Sequence, residues 1–256
     1  MLVAQRYEMI EQLVKKRGSI RVSELSELCG VTEETIRRDL DKLERLGKLR
    51  RSHGGAVSVK ETAPEIPYFE REATHVAEKK EIAAEAIKRI SPRDRIILDA
   101  STTAWYMAAS LPDIPLTVLT NSIKVAVELA AKSNIQVIST GGFLASRSLS
   151  YVGPLAEQAL DLYHVNKAFI SCKGVHLERG MSESNELQAT VKRKMIGIAD
   201  KTFLLADFSK FGSQELAHLA GCEQISALIT DRKADSGYVQ ALAEKFRLEV
   251  IRPLAN

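Results

Sequence analysis

The chain has few cysteines: Cys29, Cys172 and Cys222 stand far apart in 256 residues. An odd, isolated set fits neither a disulfide framework nor paired metal ligands, so reduced thiols and no metal are expected. No apolar run approaches the ~20 residues that a bilayer-spanning helix needs. The opening M-L-V-A-Q-R-Y-E mixes acid and base and lacks an apolar signal core, so a cytoplasmic protein without membrane contact is expected. Neither G-x-x-x-x-G-K-[ST] nor G-x-G-x-x-G occurs, and no Cys/His or Ser/His catalytic signature stands out. A bound cofactor is therefore not expected. Repeats and low-complexity segments are missing as well.

What is there is ample hydrophobic material, 45% of residues, over a length that suits one small domain and one ordinary α/β domain. The net charge of +3 is unevenly placed. Residues 1–60 hold 13 Lys+Arg against 9 Asp+Glu, and the remainder is close to neutral. A basic module on a neutral body points to a polyanion as the partner of that module.

Within the module, V-T-E-E-T-I-R-R-D-L-D-K-L-E-R-L (31–46) spaces Ile36, Leu40, Leu43 and Leu46 along one helix face. Arg37, Arg38, Lys42 and Arg45 point elsewhere. Thr32 suits the N-cap, Glu33 and Glu34 suit the first turn, and Gly47 suits the stop. Before it, residues 3–16 read as a helix ended by Gly18, Ile20-Arg21-Val22 as a short extended piece, and Ser23 as the cap of a helix with Leu25 and Leu28 inward. Cys29-Gly30-Val31 turns the chain into the basic helix, which completes a helix-turn-helix pattern.

After Gly47, residues 49–51 and 56–59 read as two strands around His53-Gly54-Gly55, a β-hairpin wing. The expectation is a winged helix-turn-helix over 1–59 that binds double-stranded DNA. Thr35, Arg37 and Arg38, with Thr32 beside them, are the groove candidates. Arg50, Arg51 and His53 would grip phosphate or the minor groove, and Gly54 and Gly55 would let backbone N–H groups approach phosphates. The stretches V-T-E-E-T-I-R-R-D-L and G-K-L-R-R-S-H-G-G-A, at this spacing, resemble the signature of the DeoR/GlpR family of bacterial transcriptional regulators.

Residues 60–73 carry Pro64 and Pro67 with alternating charge and read as an extended linker, with Tyr68 and Phe69 docking on the second domain. From Thr74 a helix with an Ile82, Ala86, Ile87, Ile90 stripe leads into alternating strands and helices. Strand-like runs fall at 95–98, 116–120, 135–139, 167–171, 202–206, 225–230 and 248–251. Helical patterns fall at 103–111, 123–132, 154–163, 184–199 and 236–246. Short apolar strands alternating with amphipathic helices predict an α/β domain over 74–256 with a mostly parallel sheet.

Polar residues gather at the strand ends, where open α/β sheets bind ligands. Ser101, Thr102 and Thr103 at a helix start suit a phosphate. Lys173 and Lys210 could neutralise it. Asp99, Asn121 and Asp207 suit sugar hydroxyls, and Gly141-Gly142 permits close backbone approach. Caps and turns account for any one such loop; five of them argue for a site that takes a phosphorylated sugar.

The pieces L-D-A-S-T-T, L-T-N-S, T-G-G, Y-V-G-P-L-A-E, E-L-Q-A-T-V-K-R-K-M-I and L-A-D-F-S-K-F-G resemble the DeoR-type sensor domain. That family's sensor resembles ribose-5-phosphate isomerase. The resemblance implies repression controlled by a phosphorylated sugar, with Asp99, Ser101, Thr102, Thr103, Asn121, Gly141, Gly142, Asp207 and Lys210 at the family's motif positions. Two places depart from the family pattern. Lys173-Gly174-Val175-His176 replaces a small residue followed by Gly-Ile-Asp, and the loop 179–187 is individual, so Lys173 and His176 are candidates for tuning ligand choice. One winged helix covers one half-site, so a homo-oligomer, dimer or tetramer, is expected. The competing reading is a sugar-phosphate isomerase-like enzyme with an accessory nucleic-acid-binding domain, in which Asp99 or Asp207 is the base and Lys210 the electrophile. It leaves the basic module without a purpose.

Overall fold

A computed structural model describes residues 3–17, 19–45, 48–52, 54–58 and 65–254. The chain divides into two compact units, Met1–Pro64 and Glu65–Asn256.

The first unit runs α1 (Val3–Arg17), β1 (Ser19–Arg21), α2 (Val22–Cys29), α3 (Glu33–Arg45), β2 (Leu49–Ser52) and β3 (Gly55–Ser58). Ile10 and Val14 of α1, Leu25 of α2, and Ile36, Leu40 and Leu43 of α3 meet in one core. The α3 periodicity thus does what its spacing predicts; Leu46 and the expected stops Gly18 and Gly47 lie outside the described residues. Arg6 and Asp39 tie α1 to α3 by a two-pronged buried pair, Nε to Oδ2 at 2.6 Å and Nη2 to Oδ1 at 3.2 Å. The wing strands form an antiparallel sheet in the order β1-β3-β2.

Two local expectations for α2 need correction. Arg21 rather than Ser23 holds the N-cap position, and among the described residues no side chain caps the helix. The helix starts two residues early, directly after β1 ends at Arg21. The buried face is therefore Val22, Leu25 and Cys29, and Leu28 is 41% exposed. Gly30 ends α2 at φ +64°, a conformation that costs glycine nothing.

The second unit opens with α4 (Tyr68–Ala73) and α5 (Val76–Ile87). The expected extended linker is thus helical from Tyr68, and this stretch belongs to the second unit; residues 60–64 lie outside the described residues. Pro67 sits immediately before α4, where a proline leaves the helix intact. Tyr68 is buried, with Lys124 and Arg71 over its ring.

The body continues β4 (Arg95–Leu98), α6 (Thr102–Ser110), β5 (Leu116–Thr120), α7 (Ile123–Leu129), β6 (Ile135–Ser139), β7 (Phe143–Ala145), β8 (Ser150–Val152), α8 (Pro154–Asp161) and β9 (Val165–Ile170). It ends β10 (Gly174–His176), β11 (Gly180–Glu183), α9 (Glu186–Gly197), β12 (Ala199–Leu205), β13 (Ala217–Ala220), β14 (Ala227–Ile229), α10 (Ser236–Phe246) and β15 (Glu249–Ile251).

Seven strands make a parallel sheet in the order β15-β14-β12-β9-β4-β5-β6. Alternate residues serve opposite faces. Ile96 and Leu98 pack with α5, α6 and α7, whereas Ile97 packs with α8 and α9. The antiparallel sheet β10-β11-β13 and the hairpin β7-β8 add to the strands expected from the sequence. From β4 the chain builds outward through β5 and β6, then returns to lay β9 on the other flank of β4. The crevice beyond β4 and β9 is therefore a topological switch point, where open parallel sheets hold ligands.

Candidate functional site

The charged face of α3 is open. Thr32 Oγ1 accepts from Thr35 N at 3.3 Å and shares a 2.9 Å hydrogen bond with Thr35 Oγ1, so both hydroxyls settle the helix start. Arg37 Nη2 donates to Glu33 at 2.7 Å. Arg38, its side chain 80% exposed, keeps a single 3.6 Å ion pair among the described residues, with Glu34. Arg50 and Arg51 fall in β2, but their side chains, and all of His53, lie outside the described residues. Gly54 is exposed with free space around it. Gly55 is different: it is buried in the central wing strand, where a Cβ would lie 2.1 Å from Ile20 O. Packing alone demands a glycine there.

At the switch point the second unit encloses a cavity of about 320 Å³, within the usual range of small-ligand pockets. Ser101, Thr102, Thr103, Lys173, Asp207 and Lys210, six of the ten expected effector residues, line it. Ser101 caps α6, its Oγ accepting from Ala104 N at 3.0 Å, while Ser101 N donates to Asp99 Oδ1 at 3.0 Å. The N–H groups of Thr102 and Thr103 are the remaining donors of the first turn. Asp207 accepts from both the N–H and the hydroxyl of Ser209 and so shapes the 3-10 turn Phe208–Lys210 that carries Lys210. Among the described residues neither Lys173 Nζ nor Lys210 Nζ has a hydrogen-bond or ion-pair partner. Burial pushes Lys173 down to about 8, with Arg71 adding to the shift.

Four expected residues do not reach the cavity. Asp99 is fully buried beneath it, with its carboxylate committed to Ser101 N, to Ser171 N at 2.9 Å and to Lys192 at 3.1 Å. It holds the ends of β4 and β9 together. Asn121 follows β5, one strand further out. Its Nδ2 donates to Tyr151 O at 3.0 Å and its backbone carbonyl accepts from Tyr151 N at 2.7 Å, which pins β8. Gly141 and Gly142 follow the edge strand β6 in left-handed conformations, φ +62° and +114°. At Gly142 a Cβ would meet Val152 O at 3.0 Å and Ala156 Cβ at 3.1 Å. These glycines build the turn into the β7-β8 hairpin. His176 accepts from Glu178 N at 3.1 Å in the β10-β11 turn and stands off the cavity wall.

Several wall residues were not among the expected ones. Arg71, Thr74, His75 and Lys79 come from α4, α5 and their junction, and Gln188 and Lys192 from α9. Lys192 Nζ donates to Glu183 at 2.5 Å and to Ser171 O at 2.6 Å. Burial opposes its charge, but Glu183 and Asp99 outweigh that and raise its pKa. Gln188 Nε2 donates to Ser148 and Ser150 at 2.9 and 2.8 Å. A signal for the α9 pair did exist: Gln188 and Lys192 sit four apart on a face shared with Ala189, Val191 and Met195, where a buried polar stripe needs partners. Lys79 Nζ donates to the carbonyls of Arg71 and Thr74, fastening the end of α4 to α5.

An open charged helix beside a β-wing, joined to an α/β unit with a strand-end cavity, defines a DNA-binding regulator with a small-molecule sensor. Comparison with known proteins gives the same class. The DeoR-like helix-turn-helix domain matches residues 6–62, and the DeoR C terminal sensor domain matches residues 74–232. The chain belongs to the DeoR family of transcriptional regulators. The uncharacterized HTH-type transcriptional regulator YulB of Bacillus subtilis is 59% identical over 96% of this chain and 95% of its own. The L-fucose operon activator of Haemophilus influenzae is 40% identical over 89% of this chain and 91% of its own. A putative aga operon transcriptional repressor of Escherichia coli is 34% identical over 97% and 93%. Among solved structures, ribose 5-phosphate isomerase A of Methanocaldococcus jannaschii overlays 52% of this chain and 53% of its own at a TM-score of 0.39 and 18% identity, too distant to bear on function.

Proposed function

We propose that this regulator represses an operon of sugar catabolism and that a phosphorylated sugar in the switch-point cavity controls it. The observation that carries this reading is the pairing, in one cavity, of the α6 N-terminus with Lys173 and Lys210, two ammonium groups without partners among the described residues. Helix-start N–H groups and hydroxyls suit phosphate oxygens, and the lysines supply countercharge. Asp207, Ser209 and Gln188 offer polar contacts for sugar hydroxyls. The chain acts in the cytoplasm as a dimer or tetramer, so that two winged helices read two half-sites. Control works by population shift: the effector must bind the weak-DNA conformation more tightly than the other.

The test is a thermal-shift screen of the full chain against sugar phosphates and their unphosphorylated parents. A ligand at one hundred times its Kd should add about 2.7 kcal/mol of stability. A hit that requires the phosphate, and that lowers operator affinity, supports the proposal. An empty screen defeats the sensor half. A hit that raises operator affinity overturns the picture of repression relieved by the effector.

A further inference from the structure

The two family matches, 6–62 and 74–232, leave residues 63–73 to neither domain. Yet the described part of that interval supplies Glu65, Ile66 and Arg71 to the cavity wall. The backbone there is firmly docked: Tyr68 N donates to Arg147 O at 2.7 Å, and Tyr106 Oη donates to Glu72 O at 3.1 Å.

Arg71 is a wall residue with a buried donor left unpaired among the described residues. Its Nε donates to Ile66 O at 3.0 Å. The Glu65 carboxylate lies 3.8 Å from Nη2, close enough for charge pairing and too far for a hydrogen bond. Nη2 is buried and has no hydrogen-bond partner among the described residues. Buried guanidinium donors normally find an acceptor, and their planar fork matches the oxygens of a phosphoryl group. Lys173 lies close enough to feel Arg71 as a like charge, so an anion between the two would relieve both.

We propose that Arg71 is an effector-binding residue whose Nη2 takes an oxygen of the ligand's phosphoryl group, so that the stretch opening the second unit takes part in binding the ligand. This rests on the sugar-phosphate reading of the cavity and adds to it a binding residue outside the matched sensor domain. The stretch that opens the second unit becomes part of the ligand's shell. Glu65 is the internal competitor, since its carboxylate neutralises the guanidinium that an incoming anion would use.

Hydrogen exchange on the full chain, titrated with inorganic phosphate, tests it. In the wild type, phosphate should slow exchange in peptides spanning 65–73 as well as those spanning 101–104. Arg71→Gln should weaken phosphate binding about tenfold or more, which is about 1.4 kcal/mol, and should remove the protection of 65–73. Glu65→Gln should tighten binding, because it deletes the competitor; a purely structural salt bridge predicts a loss instead. The two variants should move a sugar phosphate found by the screen in the same directions. Protection of 101–104 alone, with unchanged affinity in Arg71→Gln, overturns the role of Arg71 and leaves the cavity reading standing. Weaker binding in Glu65→Gln also overturns it. No protection anywhere, by phosphate or by any sugar phosphate, defeats both.

Discussion

The carboxylate of Asp99, beneath the cavity, and the ammonium of Lys192, in its wall, form a 3.1 Å ion pair, with side-chain exposures of 0% and 8%. Glu183 shares the same ammonium at 2.5 Å. One cation therefore serves two buried carboxylates, and removing it strands both. Breaking a buried pair from one side costs about 3–5 kcal/mol. Lys192→Met should lose that much in urea unfolding at neutral pH. The deficit should shrink on acidification, as the stranded carboxyl groups take up protons. A loss independent of pH would mean that packing, and not charge, is what Lys192 supplies.

Gly54 and Gly55 look equivalent in sequence and differ in the fold. Gly55→Ala drives a Cβ against Ile20 O and should destabilise the DNA-binding unit by about 1–3 kcal/mol, as overpacking does. Gly54→Ala meets open space and should stay within about 0.5 kcal/mol. Differential scanning calorimetry of the full chain separates the two. Equal effects would contradict the wing register in which Gly55 pairs with Arg21.

Arg38 is the freer of the two neighbouring arginines on α3, since Arg37 must first release Glu33. On a duplex selected by the wild-type chain from random sequence, Arg38→Ala should cost about 1–3 kcal/mol and relax the preference at one base position. Fluorescence anisotropy over a salt series reads both. A uniform loss across sequences with a shallower salt dependence would reassign Arg38 to the phosphate backbone.

Much of the fold is legible in the residues alone. The parallel strands β4, β5 and β6 coincide with apolar runs of four or five residues, and period alone separates them from the helices between. The strands β8, β10, β11 and β13 escape because each has three or four residues and mixes Gly, Ser or His with apolar ones, a pattern that turns share, and β7 escapes because Phe-Leu-Ala is too short a run to show a period. α4 escapes because Pro64 and Pro67 announce an extended chain, although a proline just ahead of a helix leaves it unharmed. The site divides in the same way. Strand-end logic finds Ser101, Lys173 and Lys210, but it gives equal weight to Asn121 and Gly141, because loops on and off the switch point look alike until the strand order is known. Asp99, expected at the sugar hydroxyls, lies below the cavity, where its carboxylate holds the ends of β4 and β9 together.

Lys173 makes the cavity sensitive to alkali in two opposite ways. Burial, helped by Arg71, holds its pKa near 8 against about 10.4 in an unfolded chain. Between those values the unfolded chain binds more protons than the folded one, so stability of the unliganded protein should rise with pH across that window. Phosphate binding needs the ammonium charged, so affinity should fall as pH rises through about 8, whereas below neutrality it should rise as the phosphate loses its second proton near pH 6. Lys79 is also lowered to about 8, chiefly by burial, but its ammonium is already engaged by the carbonyls of Arg71 and Thr74, so Lys173→Met should flatten most of the alkaline limb. Calorimetric titration with a phosphorylated hit, set beside thermal unfolding of the free chain, measures both signs. An affinity that stays level from neutral pH into the ordinary lysine range would show that Lys173 does not face the phosphate.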